Sequence, residues 1–287
     1  MKDHRYAFPH SKEDIAKAHE VPDTAQTRSP VYRLAFADDD FLCRPELRGV
    51  RMQLEMTKPE LVMDAEGIES TVVLFGGARV PAPRQLDQAR TQTLRDLGHF
   101  YEEARRFAAA VTQRGTPGEN VVVTGGGPGV MEAGNRGALE AGGRSIGLGI
   151  VLPHEQAPNA YVTPELCFNF HYFATRKMQF LIRAAAVAVF PGGFGTLDEL
   201  FETLTLIQTG RMDRVPVVLF GEAFWRSIVN WEALAEAGTI SPEDLDLFRF
   251  VETAEEALDV IDGWEVRPPR EDIPGRGDDL PETPEHD

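Results

Sequence analysis

The sequence predicts a doubly wound α/β fold: a mostly parallel sheet, Rossmann-like, with helices on both faces. Three observations carry that expectation. Short uncharged runs rich in β-branched residues recur at STVVLF (70–75), NVVVT (120–124), AAAVAVF (184–190) and VPVVLF (215–220). Segments with apolar residues at helical spacing separate them, as alternating strands and helices require. Glycine turns follow three of the strands, at Gly76-Gly77, at Gly125-Gly126-Gly127 and at Gly192-Gly193-Phe194-Gly195.

Taken in order, Ser11–Val21 has the pattern of a short helix and Asp38–Asp40 that of a turn. From Pro45 to Ala65, Leu47, Val50, Leu54, Leu61 and Val62 fall at helical spacing, and Pro59 predicts a break. The first buried strand is 70–75. Leu94, Leu97, Phe100, Tyr101, Ala104, Phe107, Ala108 and Val111 make one amphipathic helix of Thr91–Gln113. A second strand precedes the triple glycine, a helix covers Val130–Ala141, and SIGLGIVLP (145–153) is a third strand. LCFNF (166–170) is a further short strand, followed by a helix over His171–Arg183. The run 184–190 is buried on both faces, as a central parallel strand is. Helices over Leu197–Gln208 and Phe224–Ala237 flank the strand at 215–220, and FRFVET with Ala254–Ile261 closes the series. The domain reading is an extension with a helical lead-in over 1–69, a catalytic-type α/β domain over 70–262, and a tail over 263–287. Five prolines and an excess of acidic residues beyond Trp264 predict that the tail is disordered.

The 287 residues are 42% apolar and 26% charged, a globular composition. Twenty-nine Lys and Arg against 46 Asp and Glu leave a net charge of −17. That balance argues against a nucleic-acid partner, which selects a basic surface, and against docking on an anionic membrane. A small anionic substrate remains compatible, because helix N-termini and a local arginine cluster act against the overall field. Two cysteines, Cys43 and Cys167, cannot build a disulfide framework. The first residues, MKDHRYAFPHSKED, carry charge and no apolar run, and no stretch is long and apolar enough to span a bilayer. The expected location is the cytoplasm.

Three glycine turns at strand ends point to a phosphate site, since glycine admits close backbone approach and the following helix N-terminus favours an anion. Common phosphate motifs are absent. No register satisfies G-x-G-x-x-G, and no Gly-Lys pair exists for a P-loop. Gly143-Arg144-Ser145-Ile146-Gly147 matches a nucleophile elbow in letters, but there a helix ends and a strand begins, the reverse of what the elbow needs. No HExxH occurs and the histidines do not cluster, so neither a metal nor another cofactor is expected. The informative segment is ATRKMQFLIRAAAVAVFPGGFGTLDELFE (174–202), which places Arg176 and Lys177 on one helix and Thr196, Asp198 and Glu199 at the start of the next. T-x-x-E there also fits a capping box with Glu199 at the third helical position.

PGGFGT with Leu197, Asp198 and Glu199 resembles the PGGxGTxxE motif of the Lonely Guy family. Arg176-Lys177 resembles the Arg-Lys pair that precedes it, TGGGPGVMEAGNRGA (124–138) a second glycine loop, and LFGGAR (74–79) a first. The resemblance runs over roughly 70–262 and is closest to a longer bacterial branch, in which Ser is common where this chain has Gly77. It implies a hydrolase that cleaves the N-glycosidic bond of a nucleoside 5′-monophosphate, AMP or a cytokinin riboside monophosphate, giving free base and ribose 5-phosphate. It also implies a homodimer or a dimer of dimers. On that reading Glu199 is the carboxylate that stabilises an oxocarbenium-like state and activates water. Arg176 orients the phosphate or the departing base, with Lys177 beside it. Gly192, Gly193, Gly195 and Thr196 cradle the phosphate, with Arg79 a second clamp. Gly126, Gly127, Met131 and Glu132 line the nucleoside side. The competing expectations are a nucleotide or cofactor carrier with the same loops, and a pyridoxal-phosphate-dependent lysine decarboxylase built on Lys177.

Overall fold

The structure is a computed structural model that describes residues 10–153 and 157–264; the predicted acidic tail lies almost entirely outside them. Two compact units divide the chain between Thr57 and Lys58.

In the first unit, helix α1 (Ser11–Ala18) is capped by the His10 ring, which accepts from the Lys12 amide at 3.1 Å. Asp38–Asp40 is not a free turn: the Asp38 carboxylate accepts from the Phe41 amide and starts a one-turn helix α2 (Asp39–Leu42). Arg51 donates to the carbonyls of Leu42 and Arg44, both at 2.7 Å, and so satisfies the end of that turn. Helix α3 (Arg48–Ala65) runs through Pro59 without a break, contrary to the sequence expectation. The residues that follow Thr57 explain the tolerance. Pro59 is buried and Met63 joins an apolar cluster. Glu60 and Asp64 hold the Arg183 guanidinium at 2.7 and 2.6 Å. These contacts offset the roughly 3 kcal/mol that an interior proline costs.

The second unit is built on one parallel sheet of seven strands: β1 (Thr71–Phe75), β2 (Val121–Thr124), β3 (Ser145–Ile150), β4 (Cys167–Phe170), β5 (Ala184–Val189), β6 (Val217–Phe220) and β7 (Arg249–Val251). Their order is β4-β3-β2-β1-β5-β6-β7, so the doubly wound α/β fold is correct. Side chains alternate between faces with period two. Val73, Phe75, Val123, Leu148, Val187 and Leu219 enter one apolar cluster; Val72, Leu74, Val122, Ala188, Val218 and Phe220 enter the other.

The span 91–113 forms two helices, α4 (Gln92–Asp96) and α5 (His99–Arg114), with the break at Leu97-Gly98. Next come α6 (Val130–Glu140), α7 (Phe173–Leu181) and α8 (Phe194–Gln208). The helix expected over Phe224–Ala237 is likewise two, α9 (Glu222–Ile228) and α10 (Trp231–Glu236), because the Asn230 side chain accepts from the Ala233 amide and starts a new helix. Helix α11 (Ala254–Asp262) ends the series. Residues of α5, α6 and α11 cover one face of the sheet and residues of α7, α8, α9 and α10 the other.

Because β5 returns to the opposite side of β1 from β2, the chain reverses its direction of travel at the β1/β5 pair. In open α/β sheets a crevice forms at the carboxyl ends of such a pair. Its rim is fixed by two backbone bonds: the Gly77 amide donates to Pro191 O at 3.0 Å and the Phe190 amide to Phe75 O at 2.8 Å.

Helix α6 lies so close to α5 that a side chain at Gly137 would strike the Arg105 carbonyl. Alanine normally favours a helix over glycine by about 1 kcal/mol, yet Gly137→Ala is expected to destabilise by about 1–3 kcal/mol, the range for overpacking. Urea unfolding of the variant, with an unchanged slope, checks the sign.

Candidate active site

The crevice holds a cavity of about 790 Å³. Its wall joins the first loop (Gly76, Gly77, Arg79), Gly125 and Met131 from the second, Arg176 and Phe180 on α7, and Gly192, Gly193, Gly195, Thr196 and Glu199 from β5 into α8. Three glycine turns far apart in sequence thus meet because β2, β1 and β5 are neighbours in the sheet.

Helix α8 starts at Phe194, three residues earlier than the sequence pattern predicts, and its N-cap is Gly193 with no side-chain cap. Thr196 and Glu199 lie inside the helix, so the expected capping box is absent. Glu199 is only 8% exposed, and its Oε2 has no hydrogen-bond partner. Desolvation pushes its pKa up from 4.5 to about 7, against the pull of Arg176 and Lys177 and with a smaller push from Glu202 and Asp198. A carboxyl group poised near neutrality inside a cavity can give or take a proton at physiological pH.

The start of α8 separates glycines the fold needs from glycines it does not. A side chain at Gly192 would collide with Thr196, so glycine there is required by packing. Gly193 and Gly195 face open space and have negative or unremarkable backbone angles. Phe194 between them is 93% exposed. The first turn of α8 therefore presents its amide end to the cavity without a side chain in the way, as an anion site does.

Described residues hold Arg176 on several sides. Its Nε donates to Leu148 O at 2.7 Å, its guanidinium carbon lies 5.0 Å from the Phe180 ring centre, and a methyl group at Gly125 would sit 2.7 Å from its Nη2. Other sequence candidates fall outside the cavity wall. Lys177 is paired with Asp198 and Glu202, both at 3.1 Å. Glu132 accepts from the Tyr101 hydroxyl at 2.8 Å and faces Arg84 at 3.8 Å. Gly126 and Gly127 accept from Asn159 through their carbonyls. Sequence reasoning missed the apolar part of the wall, Leu94, Leu97, Phe173, Phe224 and Ile228. Their only signal was an apolar residue left exposed on an amphipathic helix, as Phe173 and Ile228 are.

Residues 131–261 match a family model described as "Possible lysine decarboxylase". A cytokinin riboside 5′-monophosphate phosphoribohydrolase of Arabidopsis thaliana is 29% identical over 90 residues, covering 31% of this chain and 42% of that protein. A bifunctional cytokinin biosynthesis protein of Fusarium pseudograminearum (strain CS3096) is 36% identical over 72 residues, covering 25% of this chain and 15% of that protein. The resemblance to the Lonely Guy family holds. Less than half the length of these curated relatives is matched. Among solved structures, a molybdenum cofactor binding protein of Rippkaea orientalis is 18% identical, with a TM-score of 0.44 over 68% of this chain and 96% of that one.

The description of the family model raises pyridoxal phosphate, and the residues do not fit that group. A Schiff-base lysine needs an amine that gives up its proton easily. Burial does press on Lys177 in that direction, but Asp198 and Glu202 outweigh it and raise its pKa. Nor does Lys177 reach the cavity wall. Ser145 of the G-x-S-x-G string is buried at the start of β3, where its hydroxyl accepts from Asn135 at 3.0 Å. Among the described residues no group of three or more His, Cys, Asp or Glu could hold a metal ion, and no helix is long and apolar enough to cross a membrane.

Burial of Glu199 has a thermodynamic sign. Its folded pKa lies above its ordinary value, so the folded chain holds a proton that the unfolded chain has lost between pH 4.5 and about 7. Stability from this group therefore falls as pH rises through that window. Glu199→Gln removes the penalty. Its advantage over the parent should be small at pH 4.5 and grow to on the order of 1–3 kcal/mol above pH 7. Paired denaturant curves at the two pH values read it out.

Proposed function

We propose that this chain hydrolyses the N-glycosidic bond of a nucleoside 5′-monophosphate, AMP or a cytokinin riboside 5′-monophosphate, in the cytoplasm. The observation that carries the reading is Glu199: a buried carboxyl with one unpartnered oxygen, in the same cavity wall as Arg176 and the open first turn of α8. Names of curated relatives support the reaction class.

The 5′-phosphate sits on the amides of Gly193–Thr196 at the α8 N-terminus, where the aligned peptide dipoles favour negative charge. Arg79 reaches it from the first loop; it lines the cavity and has no ion pair among the described residues. The apolar wall from α4 and α9 takes the base. As the glycosidic bond lengthens, positive charge grows on the ribose, and ionised Glu199 stabilises it and removes a proton from the attacking water. The carbon–nitrogen bond breaks with its electron pair going to the base, which takes up a proton, and water supplies the hydroxyl of ribose 5-phosphate. Arg176 steadies the negative charge that collects on the leaving base or on the phosphate. Lys177, held by Asp198 and Glu202, contributes field rather than contact, and Glu132 is assigned a structural place on α6.

Exposed apolar side chains on α7 (Phe173, Met178), at its C-cap (Ile182) and on α8 (Phe194) support assembly as a homodimer that covers them. Light scattering at micromolar concentration is expected to give twice the 31.8 kDa chain mass or a multiple of it; a species of the single-chain mass alone would count against assembly.

Activity is tested by incubating the protein with a panel of nucleosides and their 5′-monophosphates and separating the free bases. Monophosphates should be cleaved and adenosine should not, because remote phosphate binding contributes to reaching the transition state. The kcat/KM should rise with pH through about 7 as Glu199 ionises. Glu199→Gln should lower the rate at least ~100-fold while the fold stands. Tight nucleotide binding with no cleavage by the parent would convert the reading to a carrier.

A further inference from the structure

Asn135 lies in the middle of α6, is fully buried, and belongs to no part of the mechanism above. Each of its side-chain atoms is used. Its Oδ1 accepts from the Thr124 hydroxyl at 2.7 Å and from Asn159 Nδ2 at 2.9 Å. Its Nδ2 donates to the Ser145 hydroxyl at 3.0 Å and, more weakly, to Ile146 O at 3.4 Å. The partners then reach the second glycine loop. Thr124 Oγ1 accepts from the Gly126 amide at 2.9 Å. Asn159 donates to Gly127 O through its side chain at 3.0 Å and to Gly126 O through its backbone at 2.7 Å.

We propose that Asn135 and Asn159 are positioning residues: they fix the second glycine loop and, through Gly125, the placement of the Arg176 guanidinium. The geometry connects the pieces directly. Among the described residues, the Arg176 side chain meets backbone at Leu148 O on β3 and at Gly125 just after β2. Asn135 ties the end of β2, at Thr124, to the start of β3, at Ser145. A shift of the glycine loop toward the cavity would press Gly125 on Arg176 Nη2 and Met131 Sδ, which a methyl group there would already approach to 2.7 and 2.8 Å. A shift away would open space beside Nη2 on the side that Gly125 now closes. Burying Thr124, Asn135 and Ser145 in one bonded cluster costs desolvation that an apolar core would avoid, and the return is a single loop conformation.

The inference rests on the proposed hydrolysis, so its test has one arm that does not depend on turnover. Asn159 is half-buried on a loop, and its replacement spares the core. Asn159→Asp keeps the Oδ1 that accepts from the Tyr161 amide at 3.1 Å and replaces the two donated bonds by a carboxylate oxygen facing Gly127 O and Asn135 Oδ1, whereas Asn159→Ala removes the bonds without that repulsion. Hydrogen exchange of the 124–131 segment should become at least ~3-fold faster in Asn159→Asp and Asn159→Ala, with the midpoint of global unfolding unchanged. On monophosphate substrate, kcat should fall roughly 10- to 100-fold, the scale of a misplaced catalytic group, with KM within about 3-fold of the parent. In an Arg176→Ala background the same substitution should cost less than about 2-fold, because residues that act through one another are not additive. Equal losses in both backgrounds, a change confined to KM, or full activity in Asn159→Asp would each overturn the proposal. A parent chain that cleaves no monophosphate would sink the proposed function instead; unchanged exchange in both variants would then overturn the network too, and faster exchange would support it.

Discussion

The site depends on one electrostatic constraint: Glu199 must keep its carboxyl group out of water beside two cations without forming an ion pair with either. Water would hold the pKa near 4.5, and a direct pair would lower it further; burial instead raises it to about 7. The fold meets the condition by dividing the work. Lys177 is engaged by Asp198 and Glu202, one turn apart along α8 on either side of Glu199 in sequence. Arg176 is engaged by a backbone carbonyl and an aromatic ring. Both cations therefore act on Glu199 through the field, and Oε2 stays buried without a hydrogen-bond partner.

The sheet order makes this arrangement reachable. Only at the β1/β5 pair do loops from both halves of the chain open on the same side, and only there can α7, which ends just before β5, and α8, which begins just after it, bracket one cavity. Packing then separates two kinds of glycine. Gly192 is demanded by Thr196 and Gly137 by α5, and these serve the fold. Gly193 and Gly195 have room for a side chain that the chain does not use. Glycine within a helix costs roughly 0.5–1 kcal/mol relative to alanine, so Gly195, inside the first turn of α8, is a local loss of stability at the place where an anion would lie.

Much of this was legible in the sequence because it rests on local pattern. Uncharged β-branched runs mark strands buried on both faces, and all four of the main runs became central or near-central strands. PGGFGTLDE and Arg176-Lys177 marked the cavity because a glycine turn after a buried strand is a local signal. The helix boundaries were not local in that sense. Pro59 is carried inside α3 by Glu60 and Asp64 acting on Arg183, more than a hundred residues away. Thr196 and Glu199 match a capping box in letters, yet α8 extends back to Phe194 because Gly193 ends β5's loop there and leaves Thr196 free to pack on Gly192.

Direction of side chains was the least legible property. Arg176 and Lys177 are adjacent in sequence and about 100° apart around a helix, so one faces the cavity and the other the flank of α8; adjacency alone made them look like a pair. Glu132 and Met131 divide in the same way, with Met131 in the wall and Glu132 against Tyr101. Asn135 offered a signal of a different kind. It interrupts the apolar face formed by Val130, Ala133 and Ala138, and an amide on a face that must be buried demands partners. Those partners are a threonine at the end of one strand, a serine at the start of the next and an asparagine on a loop. No periodicity could name them, but their chemistry follows from the count: an amide with two donors and two acceptor sites, fully buried, requires about four bonds, and four are present. The buried cluster and the buried carboxyl are then two answers to one physical demand. In the cluster every polar atom is satisfied and the loop is held still. At Glu199 one buried oxygen is left unsatisfied, and the residue that carries it stands in the wall of the cavity.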